Sequence, residues 1–396
     1  MKIGILGTKG IPGRHGVENV VDSLVPHLTS RGHEVTTYGY ETYTNNTDDY
    51  FGARIKTVRG SPGKNMEMIS HMLNACLDAR AEEFDIVHIH NTDPCLLGWL
   101  PNPRCALIAT SHGQAYLRNK WSFPAKAMSR VAERFFIQLP DVVTSVSKPL
   151  ADYYSAKYGR EVLHIPNGVK IREKPSSNLI RKWAIEPIGY LFCSAGRIER
   201  TKGLHTLLEA YRAIQQKIPL VIAGGGPGTD PVYFEELKRT KPPGVKFVGF
   251  LTGDDLFALY GHARVFVFPS EYEAMSMALL EGLSYGVPTI YSNIPENEAV
   301  ARGMGYSFKV SDTSSLADQL SRVLNRYDDA TRISARARQH IRTNHDWTRI
   351  AEQYHELYMH FAGGWSNSRK RASNGTGVRR YDLAAQLSAM GDNRRR

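Results

Sequence analysis

Phe268-Pro-Ser-Glu-Tyr-Glu273-Ala-Met-Ser-Met-Ala-Leu-Leu-Glu281-Gly-Leu-Ser-Tyr-Gly286-Val-Pro288 is the stretch on which the reading of this chain turns. The residues leading into it, Arg264-Val-Phe-Val-Phe268, form an apolar run of the kind a buried parallel strand shows. Pro269 and Ser270 break that run. Residues 275–283 then read as a helix, which Gly286-Val-Pro288 stops. Glu273 falls at or just before the helix start, and Glu281 about two turns along the same face. A ligand lying across that N-terminus can meet both carboxylates, and the free backbone N–H groups there favour a phosphate. Alone, such spacing is more often that of a solvated acidic helix. The surrounding sequence decides.

Short β-branched runs alternate with longer amphipathic segments along most of the chain. Candidate strands lie at 2–6, 34–38, 86–89, 106–110, 142–146 and 162–165, and again at 189–195, 220–223, 245–248, 265–268 and 289–291. This alternation predicts parallel sheets with crossover helices, and two series predict two Rossmann-like α/β domains. The joint falls near Pro166-Asn167-Gly168. The expected organisation is a first domain over 1–168, a second over 169–346, and a final helix at 347–362 that joins the first and is stopped by Gly363-Gly364. A basic, disordered tail is expected at 365–396.

The chain has 396 residues, 42% hydrophobic and 22% charged, ordinary for a globular protein of two or three domains. No apolar run is long enough to span a bilayer, and the start runs straight into a glycine loop rather than a signal peptide. Cys76, Cys95, Cys105 and Cys193 show no CxxC spacing and read as reduced thiols of a cytoplasmic protein. Of the net charge of +11, +6 sits between Trp365 and Arg396. That tail suits anionic lipid or a plain solvated terminus, and no nucleic-acid partner is expected.

Gly7, Gly10 and Gly13 follow the first strand with GxxGxxG spacing, and Tyr153 with Lys157 supplies a YxxxK pair. Together they allow an NAD(P)-dependent short-chain-type oxidoreductase. Against it, Pro12 and Arg14 lengthen the loop, and the second αβ series stays unexplained. In the second half, Gly196-Arg197-Ile-Glu-Arg-Thr-Lys202-Gly203 follows a strand, and its cations Arg197 and Lys202 are spaced to clamp a diphosphate. A strand into Gly224-Gly225-Gly226-Pro227-Gly228, then Val248-Gly249-Phe250, then the two glutamates, complete the series.

In this order and spacing the motifs resemble the nucleotide-sugar domain of retaining family 4 glycosyltransferases. The opening Gly7-Thr-Lys-Gly-Ile-Pro12, with Gly16-Val-Glu18 and the turn Arg31-Gly-His-Glu-Val35, is similar to the rhamnosyltransferase-like branch of that family. The resemblance covers residues 1 to about 362. It implies a GT-B fold, two Rossmann-like domains facing across a cleft, and transfer of a hexose from a nucleoside-diphosphate sugar, with a UDP-sugar the expected donor. The acceptor it implies is a glycan or lipid-linked glycan in cell-surface polysaccharide assembly. It also implies retention of configuration, no cofactor and no required metal. A sugar-nucleotide epimerase of the same fold is the further alternative.

The resemblance implies that Arg197 and Lys202 neutralise the diphosphate, that Glu273 faces the sugar, and that Glu281 accepts the ribose hydroxyls. The backbone at Ala274, Met275 and Ser276 meets sugar and phosphate; Gly16, Gly225 and Phe250 complete the donor set. Val17 replaces a second glycine after Gly16, and Ala-Met-Ser replaces the family's glycine-rich turn, so the sugar pocket is expected to differ in shape. His112, just past a strand end, would contact the sugar; the other reading is a hydrogen-bonded loop histidine. His88 and His90 read as strand-end structure. Lys120, Lys126, Arg130 and Arg134 make a basic stripe beside an apolar one of Met128, Val131 and Phe135. That helix suits an anionic membrane surface on the cytoplasmic side, or packing on its own sheet.

Overall fold

The computed structural model describes residues 1–13, 16–44, 48–61, 66–101, 104–117, 123–214 and 218–372. The chain divides into two units, Met1–Asn167 with the helix that begins at Trp347, and Gly168–Asp346.

The first unit is an eight-stranded sheet of β1 (Lys2–Leu6), β2 (Glu34–Tyr40), β3 (Asp49–Tyr50), β4 (Ala53–Val58), β5 (Ile86–His90), β6 (Ala106–Ser111), β7 (Val142–Ser145) and β8 (Leu163–His164). The order is β3-β4-β2-β1-β5-β6-β7-β8. Every pairing is parallel except β3 with β4. That antiparallel edge was not expected. Most residues of its strands are exposed or half-exposed, so the strands lack the apolar run that marks the central ones, and they turn at Phe51-Gly52, both at positive φ.

The helix from Trp347 packs in the first unit. Arg31 Nη2 lies 2.6 Å from Glu352, His33 Nε2 lies 2.8 Å from His355, and the Tyr358 hydroxyl meets His88. The helix runs to Ala372, through Gly363-Gly364 and into the stretch expected as a disordered tail. Glycine weakens a helix interior by about 1 kcal/mol but does not forbid it, and no proline follows. Residues 373–396 lie outside the described residues.

The second unit holds β9 (Leu191–Ala195), β10 (Leu220–Gly224), β11 (Val245–Gly249), β12 (Val265–Phe268), β13 (Thr289–Ser292) and β14 (Tyr306–Phe308), all parallel, in the order β11-β10-β9-β12-β13-β14. The three-residue β14 had no distinct signal in the sequence. Helices cover both faces, which is why β9, β10, β12 and β13 are almost wholly buried along their length. Leu191, Ile222, Val265, Val267 and Ile290 meet Leu204, Leu207, Leu316 and Leu320 in its core.

In each sheet the strand order reverses at one point, between β1 and β5 in the first unit and between β9 and β12 in the second. Ligands of open α/β sheets bind outside the carboxyl ends of the strands at such points. Among the described residues no helix is long and apolar enough to cross a membrane.

Candidate active site

In the second unit the sequence motifs meet at the reversal between β9 and β12. Leaving β9, the chain passes Gly196 and Arg197, makes a 3-10 turn at Arg200–Lys202, and enters the helix Leu204–Ala213 through Gly203, at φ +65°. A Cβ on Gly203 would stand 2.1 Å from the Pro269 carbonyl oxygen. Only glycine lets this turn lie against the strand exit of β12. The Glu271 N–H donates to the Thr201 carbonyl at 2.8 Å, tying the two loops together. Lys202 Nζ then lies 2.6 Å from Glu273 Oε1, with both side chains largely buried. Among the described residues Arg197 makes one loose ion pair, 3.7 Å to Glu199.

The glycine turn after β10 braces the Arg197 loop. Gly226 N–H donates to the Gly196 carbonyl at 2.8 Å, and Ile198 N–H to Thr229 Oγ1 at 3.0 Å. Gly225 and Gly228 have positive φ, and a Cβ on Gly228 would crowd the Arg197 stem at 3.0 Å. Phe250 is exposed, with its ring over Gly226. Arg197, Lys202, Gly225, Phe250, Glu273 and Glu281 thus all belong to this unit. Gly16 and His112 belong to the first.

The helix after β12 begins later than expected, at Met277, because Ser276 is its N-cap and accepts from Leu279 N–H. Glu273 therefore sits in the loop ahead of the helix rather than on its face. Ala274 is half-buried, while the side chains of Met275 and Ser276 are buried. The Ser270 carbonyl accepts from Ser292 Oγ, which also accepts from Asn297 Nδ2 at 3.0 Å, fixing the loop from the β13 side.

Glu281 lies in the second turn, partly buried. Burial pushes its carboxyl up to about 7, with Tyr260 and Arg172 pulling the other way. The buried Tyr260 hydroxyl faces Glu281 and Ser194 without closing a hydrogen bond of ordinary geometry. Arg172 lies over the Phe257 ring at 4.6 Å. Glu296 is raised by burial and by the charge of Glu273. Arg172, Tyr260 and Glu296 were not singled out from sequence, because each comes from a segment with no motif of its own.

In the first unit, Gly7 sits at φ +84°, and a Cβ there would stand 2.2 Å from the His90 carbonyl oxygen. Two of the loop amides are engaged within the unit: Lys9 N–H donates to Glu18 and Gly13 N–H to Asp22, each at 3.2 Å. Gly16 opens the helix Gly16–Thr29 with nothing around its Cα that a side chain would meet. His112 is half-buried beyond β6, its Nε2 2.9 Å from His90 Nδ1, and burial lowers it to about 3.

Lys157 Nζ lies 3.0 Å from the Tyr153 hydroxyl but also 2.7 Å from the buried Glu133 carboxylate. The pair closes a structural cluster with Tyr158, whose hydroxyl donates to Glu133 at 2.6 Å. With Lys9 and Gly13 N–H taken by carboxylates and Lys157 committed to Glu133, the oxidoreductase alternative is not favoured.

The helix Phe123–Gln138 buries Ser129, Ala132, Glu133, Phe136 and Ile137. Its expected apolar stripe is not its packing face: Val131 is exposed, and Met128 and Phe135 are half-buried. Arg130 and Arg134 are exposed, Lys126 is half-buried, and Lys120 lies outside the described residues. Among the described residues no group of three or more His, Cys, Asp or Glu is placed to hold a metal ion.

Comparison with known proteins agrees with this geometry. Residues 14–173 match Glycosyltransferase Family 4, and residues 176–340 match Glycosyl transferases group 1. The chain is a glycosyltransferase of GT-B fold built from these two family domains. It is 28% identical to glycogen synthase of Mycobacterium tuberculosis over 295 residues, 69% of this chain and 68% of that protein. It is 27% identical to O-antigen chain mannosyltransferase C of Escherichia coli, over 70% of this chain and 76% of that one. Anabaena Alr3699/HepE, solved in complex with UDP and glucose, shares the fold at a TM-score of 0.75 and 17% identity, over 90% of this chain and 99% of that one.

Proposed function

We propose that the chain transfers a hexose from a UDP-sugar to a glycan or lipid-linked glycan in cell-surface polysaccharide assembly, with retention of configuration and with no required metal or cofactor. The observation that carries the reading is the Lys202–Glu273 contact beside Arg197 at the β9/β12 reversal. Arg197 and Lys202 neutralise the diphosphate and stabilise it as it leaves. Glu273 faces the sugar. The amides at Ala274, Met275 and Ser276, ahead of an N-capped helix, meet sugar and phosphate. Glu281 accepts the ribose hydroxyls, Gly225 and Phe250 line the donor, and Gly16 and His112 act from the first unit.

The bond from the anomeric carbon to the leaving phosphate oxygen breaks, and the acceptor oxygen bonds to that carbon. Its proton passes to the departing diphosphate, so no strong protein base is needed. The UDP and glucose held by Alr3699/HepE support the donor, and the O-antigen mannosyltransferase and glycogen synthase relatives support a glycan acceptor. The opening at Gly7–Pro12 supports the rhamnosyltransferase-like branch as the finer placement. Exposed Phe123, Arg130, Val131 and Arg134 support contact with an anionic membrane surface on the cytoplasmic side.

Thermal shift against UDP-, GDP-, ADP- and dTDP-sugars and NAD(P) tests the reading. A ligand at about 100 times its Kd adds about 2.7 kcal/mol of apparent stability. The expected result is stabilisation by a UDP-sugar, lost in Glu281→Ala. Stabilisation by NAD(P) alone, untouched by the substitution, refutes it.

A further inference from the structure

His88, His90 and His112 gather at the carboxyl ends of β5 and β6, beside the strand-order reversal of the first sheet. Both ring nitrogens of His88 are satisfied, Nδ1 by the Tyr358 hydroxyl at 2.7 Å and Nε2 by Thr110 Oγ1 at 2.6 Å. His90 differs. It is fully buried, with its ring centroid 4.2 Å from that of His88 and its plane tilted only 26° from that of His112, centroids 5.2 Å apart. Its Nδ1 lies 2.9 Å from His112 Nε2, while its Nε2 is buried and meets no hydrogen-bond partner among the described residues. The Gly7 turn against the His90 carbonyl fixes the backbone that carries this ring.

Burial keeps both rings neutral at ordinary pH, lowering His90 well below the usual histidine range and His112 to about 3. A neutral imidazole has one N–H and one lone pair. If His112 donates across the 2.9 Å contact, His90 must carry its proton on the unpartnered Nε2. If His90 donates from Nδ1, the unpartnered atom is only a lone pair. Orphaned buried N–H donors are rarer than under-used acceptors, so the second arrangement is the stable one.

We infer that His90 is a positioning residue: it donates Nδ1–H to His112 Nε2 and so holds His112 in the Nδ1–H tautomer, with that N–H as the one donor the ring can offer a sugar hydroxyl. Free neutral histidine favours the opposite tautomer, so His90 enforces the less common one. The tautomer rests on the geometry of the first unit; its use on a sugar rests on the role proposed for His112.

Long-range proton–nitrogen correlation spectra of the full-length, histidine-labelled protein at neutral pH read the tautomer directly, with His112 assigned through His112→Ala. The expected wild-type spectrum shows His112 protonated at Nδ1 and bare at Nε2. His90→Leu should return His112 to the Nε2–H form. His90→Asn, whose amide N–H can replace the lost donor, should keep it at Nδ1–H. A wild-type His112 protonated at Nε2 overturns the proposal, whether or not the variants fold. An unchanged tautomer in a folded His90→Leu overturns it too. Donor turnover separates the two layers. A fall in kcat of about tenfold or more in His90→Leu, with donor KM little changed and recovery in His90→Asn, supports both. A tautomer that switches while kcat does not upholds His90 as the positioning residue and removes His112 from the transfer step.

Discussion

Burial raises the Glu281 carboxyl to about 7, while the role proposed for it needs the ionised form, since a carboxylate offers only acceptors to the two ribose hydroxyls. A nucleotide that binds this state must expel a proton wherever Glu281 is still protonated. Binding is then weakened by one plus ten to the power of the pKa minus the pH. The factor is about elevenfold at pH 6 and about 1.1-fold at pH 8, so Kd should tighten about tenfold, or about 1.4 kcal/mol, across that range. Calorimetric titration should use a UDP-sugar, whose diphosphate is esterified at both ends and does not titrate there. Wild type should follow the slope and release about half a proton at pH 7, measured in buffers of different ionisation enthalpy. Glu281→Gln should bind more weakly and without the slope. A flat wild-type profile, or the same slope in the variant, would refute the reasoning.

The same group sets a stability trend of opposite sign. Its unfolded carboxyl titrates near 4.5 and the folded one near 7. Its contribution is fully present below about 4.5 and lost as pH rises through 7, with a ceiling of about 3 kcal/mol that partial exposure reduces. Without ligand, Glu281→Gln should therefore gain on wild type above neutrality.

Three further outcomes follow from the packing. Gly203→Ala puts a Cβ at φ +65° and 2.1 Å from the Pro269 carbonyl oxygen. The left-handed conformation costs about 1–2 kcal/mol and the overlap about 1–3, so denaturant titration should show about 2–5 kcal/mol lost, and an unchanged midpoint would contradict the turn described. Glu273→Gln removes the partner of Lys202 but leaves the proposed diphosphate clamp of Arg197 and Lys202. Donor turnover should fall about 100-fold or more in kcat with little change in donor affinity, whereas a pure affinity loss would move Glu273 out of the transfer step. Glu133→Ala leaves the Tyr158 hydroxyl without its acceptor and Lys157 with the Tyr153 hydroxyl in place of a carboxylate. It should cost about 2–3 kcal/mol, below the 3–5 of a wholly buried pair because Lys157 reaches water, and a cost near zero would show the cluster to be slack.

The parts of this fold that could be read from the chain are those whose cause is local. Buried parallel strands such as Val265–Phe268 must be continuous apolar runs, and glycines such as Gly203 and Gly225 are demanded where the backbone turns left-handed. The edge pair Asp49–Tyr50 and Ala53–Val58 escaped because half-exposed strands carry no such run. The helix after β12 was placed too early because Met275 is apolar, although Ser276 carried the capping signal that sets its start. The helix running through Gly363-Gly364 shows the reverse error, a local preference taken as a stop.

For the candidate site, spacing singled out the two carboxylates as candidates but not their states. Lys202 and Glu273 are 71 residues apart, and their contact exists because Gly203 lets one loop settle on the exit of β12 while Glu271 bonds across to Thr201. Glu281 differs from Glu273 because the surrounding core raises its carboxyl, against the opposing pull of Tyr260, carried by another helix, and of Arg172. One glutamate has been given a cation and the other has been desolvated. That division follows from tertiary neighbours alone, and it separates the two roles proposed for identical side chains eight positions apart.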